Sequence, residues 1–98
     1  MIIFDVSLNN KKLYNSCIIE EVAGKLNLKT PVEHAITVVG KNGGALVEEL
    51  VGTDTEITLS GAMAVWAYLV VFHLVVHRFK RVYYDDGKGN KVLIAAHG

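Results

Sequence analysis

The run ITLSGAMAVWAYLVVFHLVVH, Ile57 to His77, decides the fold. Glu56-Ile57-Thr58-Leu59 has the branched, alternating character of a strand. Ser60 and Gly61 break it. The apolar segment that follows predicts a long helix at about 61–77, with Ser60 as its cap. Twenty-one positions in this run carry no Asp, Glu, Lys or Arg, and Arg78, Lys80 and Arg81 come next. That length and that flank also suit a membrane span. Against a span stand the Ser60-Gly61 break and His73 in the last third. Only fifteen residues remain from Ala62 to Val76, which is short for a bilayer. A buried strand feeding a buried helix gives the same run, and the expectation is a domain with no membrane partner.

Working outward, Lys80 to Asp85 reads as a strand, Asp86-Gly87-Lys88-Gly89-Asn90 as a turn and Lys91 to Ala96 as a last strand. Upstream, Ala35-Ile36-Thr37-Val38-Val39 is a β-branched run that predicts a strand. Gly40-Lys41-Asn42-Gly43-Gly44 predicts a loop after it, and Ala45 to Val51 a short helix. At the start, Ile2, Phe4 and Val6 alternate with Ile3, Asp5 and Ser7, which predicts a first strand followed by a turn at Leu8 to Lys11. Leu13 to Ile19 has two readings: a hairpin partner for the first strand, or part of a helix from about Ser16 to Leu26 with Ile18, Ile19, Val22, Ala23 and Leu26 on one face. Strands alternating with helices predict a small α/β sheet of parallel crossover units, its last two strands forming a hairpin.

The whole chain of 98 residues is 51% hydrophobic and 20% charged, so it forms one domain, 1–98, and excludes general disorder. Ten basic residues balance ten acidic ones, so no overall field attracts long nucleic acid or an anionic membrane surface. Cys17, the single cysteine, excludes an internal disulfide and a four-cysteine zinc site. The unpaired thiol and the absence of a signal-peptide pattern at Met1-Ile2-Ile3-Phe4-Asp5 lead to the expectation of a cytoplasmic protein.

Chemistry is expected at two strand-to-helix junctions. Gly40, Lys41 and Gly43 at the first would let backbone N–H groups approach a phosphate, with the lysine adding charge. A plain glycine turn is the simpler explanation of them. Ser60-Gly61 repeats the geometry with a hydroxyl, and an N-cap serine is the simpler alternative. If both strands are parallel, both junctions share the sheet edge where open α/β sheets bind ligands. On the long helix, Trp66, His73 and His77 fall at helical spacing on one face. Histidines four apart can share a metal or act as acid and base, or can simply complement the helix dipole. Trp66 reads as core before it reads as a platform for a base. Tyr84-Asp85 closes the penultimate strand, where Asp85 could orient an imidazole or hold a divalent ion, and His97 closes the last strand.

Gly61-x-x-x-x-Trp66, His73-x-x-x-His77, Tyr84-Asp85, Gly89 and His97, in that order, resemble the small stand-alone ring nucleases of type III CRISPR systems. These are manganese-dependent and distantly related to the CRISPR-associated Rossmann-fold domain. The likeness runs from about Ile57 to His97. Family members carry S-G-R-x-P-x-W, H-x-x-H-H, Y-D-P-R-x-G and V-V-V-x-S-H. Here Ala62 and Ala64 replace the first arginine and proline, Val76 the middle histidine, and Asp86 and Gly87 the second proline and arginine. The resemblance implies a Rossmann-like mixed sheet and a homo-oligomer, dimer or larger. It implies that cyclic tetra-adenylate or a related cyclic oligoadenylate binds at Ser60, Gly61, Trp66, Tyr84 and His97, to which the glycine-rich junction would add Gly40, Lys41 and Gly43. His73, His77 and Asp85 are the expected catalytic residues and the expected ligands of Mn2+. With Val76 in place of the middle histidine, slow cleavage or sequestration is expected. The alternative is a non-enzymatic module that dimerises through its apolar helix.

Overall fold

The computed structural model describes residues 1–97 as an α/β domain with a mixed sheet and two helices. The main sheet has β1 (Ile2–Asp5), β4 (Glu56–Ser60), β5 (Arg81–Asp85) and β6 (Lys91–Ala96), in the order β1-β4-β5-β6. β1 and β5 flank β4 in parallel and β6 runs antiparallel to β5. β2 (Ile19–Val22) and β3 (Lys25–Leu28) form a separate two-stranded hairpin. The helices are α1 (Val32–Leu50) and α2 (Val65–Val75). Both parallel crossovers step the same way across the sheet, so right-handed connections put both helices on one face. Phe4, Ile57, Leu59 and Val82 point into that layer. They form one core with Val39 and Val47 of α1 and Ala67, Val71 and Val75 of α2. The alternate row, Ile3, Thr58, Tyr83 and Leu93, is in register on the other face. Met1 and Lys91 lie over that row. The Thr58 hydroxyl donates to the Met1 sulfur, and Lys91 sits 4.3 Å above the Tyr83 ring.

Three sequence expectations are corrected. Residues 35–39 are not a strand, and 40–44 are not a loop: both belong to α1, which replaces the strand, loop and short helix with one 19-residue helix. Its buried stripe is Ala35, Val39, Gly43 and Val47, spaced every four residues. The glycines serve helix packing. A Cβ on Gly43 would come within 2.7 Å of Leu74 Cδ1 and 3.3 Å of Leu13 Cδ1, so α2 approaches α1 where no side chain intervenes. The long apolar helix at 61–77 is also absent. α2 has 11 residues, its N-cap is Ala64, and Ser60 ends β4 instead of capping. Gly61 keeps the chain out of the helix with φ +106°, and the chain turns again after Val75. Finally, 13–18 is not a strand beside β1, and 19–28 is a hairpin of its own in place of the helix. Ala23 and Gly24 have φ of 52° and 78°, the left-handed pair that a tight two-residue hairpin turn requires.

Candidate functional site at the carboxyl ends of the parallel strands

β1, β4 and β5 end together at Asp5, Ser60 and Asp85. Each strand is short and is followed at once by a residue that turns the chain. After β1, the Asp5 carboxylate accepts from the Ser7 backbone N–H at 2.8 Å, and the Asn10 side-chain amide donates to the Asp5 carbonyl at 2.8 Å. After β4, Gly61 packs directly on this loop. Its missing side chain leaves room that a Cβ would fill at 2.5 Å from Asp5 Oδ1 and 2.9 Å from the Ser7 nitrogen. The Tyr68 hydroxyl of α2 donates to the Gly61 carbonyl, and its ring meets Tyr84 edge-on at 5.4 Å. Burial pushes the Tyr68 phenol up to about 12, with Tyr84, Asp5 and Asp85 adding to the effect. It therefore stays a proton donor at neutral pH. After β5, Asp85 accepts from the Gly87 N–H at 2.8 Å. Asp86 is held below the usual carboxylate range by the Asn90 side-chain amide and then by backbone N–H groups.

Gly61 and Ala62 form a ridge between two clefts. The larger, about 670 Å³, has Asp5, Ser7 and Asn9 on one side, Ser60 and Gly61 at its base, and Lys25 of the hairpin on the other. The smaller, about 270 Å³, lies between Gly61 and the turn Tyr84 to Gly87. Together they offer three carboxylates, Asp5, Asp85 and Asp86, with serine hydroxyls, a side-chain amide and one lysine. The carboxylates can accept from hydroxyl or amine groups of a ligand, and Lys25 is the one cation in the lining that could meet an anion.

Of the residues expected from sequence, Ser60, Gly61, Tyr84 and Asp85 meet here. Gly40, Lys41 and Gly43 do not. They lie inside α1, with Lys41 exposed and Gly43 buried, so no phosphate loop exists there. Trp66 stands at the start of α2, half-buried against the core. His73 is exposed on the last turn of α2 and His77 in the turn after it. The His77 ring is 5.5 Å from that of His97, near a 310 Å³ cleft formed by Lys80, Arg81, Ala96 and His97 at the opposite end of the strands. β5 carries five residues from that end to Asp85, a span of about 13 Å at 3.3 Å per residue. Among the described residues, no three His, Cys, Asp or Glu side chains gather as a metal site.

Sequence reading missed Asp5, Ser7, Lys25 and Tyr68. Asp5 was within reach, because it ends the first parallel strand as Ser60 and Asp85 end theirs. Lys25 was not, because its position depends on a hairpin whose turn has Ala23 in the left-handed conformation. Among protein-family models, curated proteins and solved structures, none matches this chain.

Proposed function

We propose that this domain binds a cyclic oligoadenylate, cyclic tetra-adenylate foremost, at the carboxyl ends of β1, β4 and β5. It then cleaves it slowly or sequesters it, damping type III CRISPR signalling in the cytoplasm. The observation that carries the reading is the meeting of Ser60, Gly61, Tyr84 and Asp85 at one strand-end edge. These come from separate motifs of the family the sequence resembles. The parallel strands joined by helical crossovers also support a ligand site here, since open α/β sheets bind ligands outside the carboxyl ends of their strands, although helices on one face and an unreversed strand order differ from a doubly wound Rossmann sheet.

Cleavage would form a bond from the ribose 2′-oxygen to phosphorus and break the bond to the 5′-oxygen. A base takes the 2′-proton and an acid protonates the leaving oxygen. Within one chain Asp85 is at the cleft, while His77 and His97 are at the far end of the strands. Among the described residues, His73, His77 and Asp85 do not come together as a manganese site within one chain. Binding thus outweighs turnover in this reading, and His73 or His77 takes part only from another subunit.

The test is incubation of the pure protein with labelled cyclic tetra-adenylate, with and without manganese, read for both bound and cleaved ligand. If cleavage is seen, His73→Ala and Asp85→Ala should abolish it while binding stays within about tenfold. No binding by any cyclic oligoadenylate would end the proposal. A second reading, a non-enzymatic interaction module, is favoured by the uncovered apolar side chains of α2 and β6. It requires self-association with no response to nucleotide.

A further inference from the structure

The two ends of the main sheet differ in charge, although the chain is formally neutral. The clefts at the carboxyl ends set Asp5, Asp85 and Asp86 against one cation, Lys25. The 310 Å³ cleft at the other end is lined by Lys80, Arg81, Ala96 and His97, with no carboxylate. Its volume is at the lower bound of small-molecule sites, roughly 300–1,000 Å³. β5 and β6 build it. Arg81 pairs with Ala96, so Lys80 and His97 stand opposite each other one step further out, where the His97 N–H donates to the Lys80 carbonyl at 2.6 Å. Opposed residues share a face of the sheet, and Lys80 shares that of buried Val82, the side of the helices. There the His77 ring lies 5.5 Å from that of His97. The backbone is fixed from both directions: the Thr55 carbonyl accepts from the Lys80 N–H at 2.8 Å, and Phe79 before it is buried. Arg81 holds Glu56 at 3.1 Å and Arg78 holds Glu48 at 2.8 Å, whereas Lys80 makes no ion pair among the described residues.

We infer that this cleft binds a phosphomonoester group, either the end of a nucleotide or free phosphate. Lys80 supplies an unpaired charge with several donors. Arg81 keeps N–H groups beyond the one on Glu56, and each imidazole, His97 in the lining and His77 beside it, has a ring N–H in either tautomer. Donors gathered with no carboxylate among them suit a ligand that only accepts, and charge-assisted bonds of this kind are the strong ones. A phosphomonoester carries a charge of about −1.5 to −2 at neutral pH and accepts through three oxygens. Cyclic oligoadenylates have phosphodiesters only, and their proposed site is at the opposite end of the strands. The inference therefore neither needs that reading nor falls with it.

The test follows the imidazole C–H resonances of His34, His73, His77 and His97 in proton NMR spectra of the 98-residue chain at about pH 7.5. The probes are inorganic phosphate and adenosine 5′-monophosphate, each to about 10 mM, with sodium chloride of matched ionic strength as the control. Both phosphates should shift His77 and His97 saturably and leave His34 and His73 in place. Tighter binding of the monophosphate would assign the cleft to a nucleotide end, and equal or weaker binding would assign it to free phosphate. Lys80→Gln should weaken both at least about tenfold, while Lys88→Gln, at the turn after β5, should bind as the wild type does. The shifts in the wild type stand whether or not a variant folds. Four results would each overturn the inference: no saturable shift at His77 and His97, the same shifts with chloride, equal shifts at His34 and His73, or an unchanged affinity in a folded Lys80→Gln.

Discussion

Gly61→Ala tests the junction on which the site is built. Gly61 has φ +106°, which an alanine adopts at a cost of about 1–2 kcal/mol. The new Cβ would also stand 2.5 Å from Asp5 Oδ1 and 2.9 Å from the Ser7 nitrogen. The carboxylate can swing away, but only by breaking its 2.8 Å bond to the Ser7 N–H, and a bond to a charged acceptor contributes about 1.5–3 kcal/mol. The backbone nitrogen cannot swing. The expected loss is therefore about 3–4 kcal/mol, or well over 10 °C in Tm for a domain of this size, at about 4–8 °C per kcal/mol. Gly87→Ala is the control. Its φ is +76° with nothing within 4 Å of the built Cβ, so only the conformational cost of about 1–2 kcal/mol applies. Urea unfolding of both variants with equal m-values isolates the contact as their difference, about 2 kcal/mol. A difference under about 0.5 kcal/mol would refute the close packing of the two strand-end loops.

Other predictions concern the helices and the phenols. Gly40→Ala meets its nearest atom at 4.0 Å inside α1, so it should stabilise by about 0.5–1 kcal/mol in thermal unfolding. Gly43→Ala should instead cost about 1 kcal/mol, because Leu74 and Leu13 must both shift; the opposite order would contradict the packing of α1 on α2. Burial raises the Tyr14 and Tyr68 phenols above the usual value, so the folded state holds these protons more tightly than the unfolded chain. Their contribution to stability is whole below pH 10 and falls as the pH rises through about 12. Tyr68→Phe should flatten the alkaline stability loss and delete the tyrosinate absorbance step near pH 12, while a Tyr68 that titrates near 10 would contradict its burial.

The second half of the chain was largely legible. β4, β5 and β6 follow from alternation and turn residues, and Ser60, Gly61, Tyr84 and Asp85 were identified because strand ends carry chemistry in such sheets. The first half was not. Ile36, Thr37, Val38 and Val39 carry β propensity, and Gly40, Gly43 and Gly44 carry loop propensity, yet they form one helix because small residues let α2 pack against it. Local preference there opposes the tertiary contact, and the contact prevails. The helix from 61 was overextended because apolar character persists from Met63 to Val76, whereas Gly61 and the turn after Val75 end it by backbone geometry. The expectation that His73, His77 and Asp85 share one metal was not met, because β5 runs between the helix end and Asp85 and carries them to opposite ends of the strands.

The pairing of Ile2 with Ile57 sets an order of events during synthesis. β1 is made first, but its only partner in the sheet, β4, is complete only at Ser60. At about 5–20 residues per second, the interval is roughly 3–11 s. Through that time Ile2, Ile3 and Phe4 have no strand beside them, and joining β4 afterwards requires closing a loop of fifty residues, against only five between β5 and β6. The carboxyl-terminal half can condense locally while the first strand must be kept from other chains. The strand that waits longest for its partner thus lies in the segment before Ser60, the part whose sequence least announces its fold.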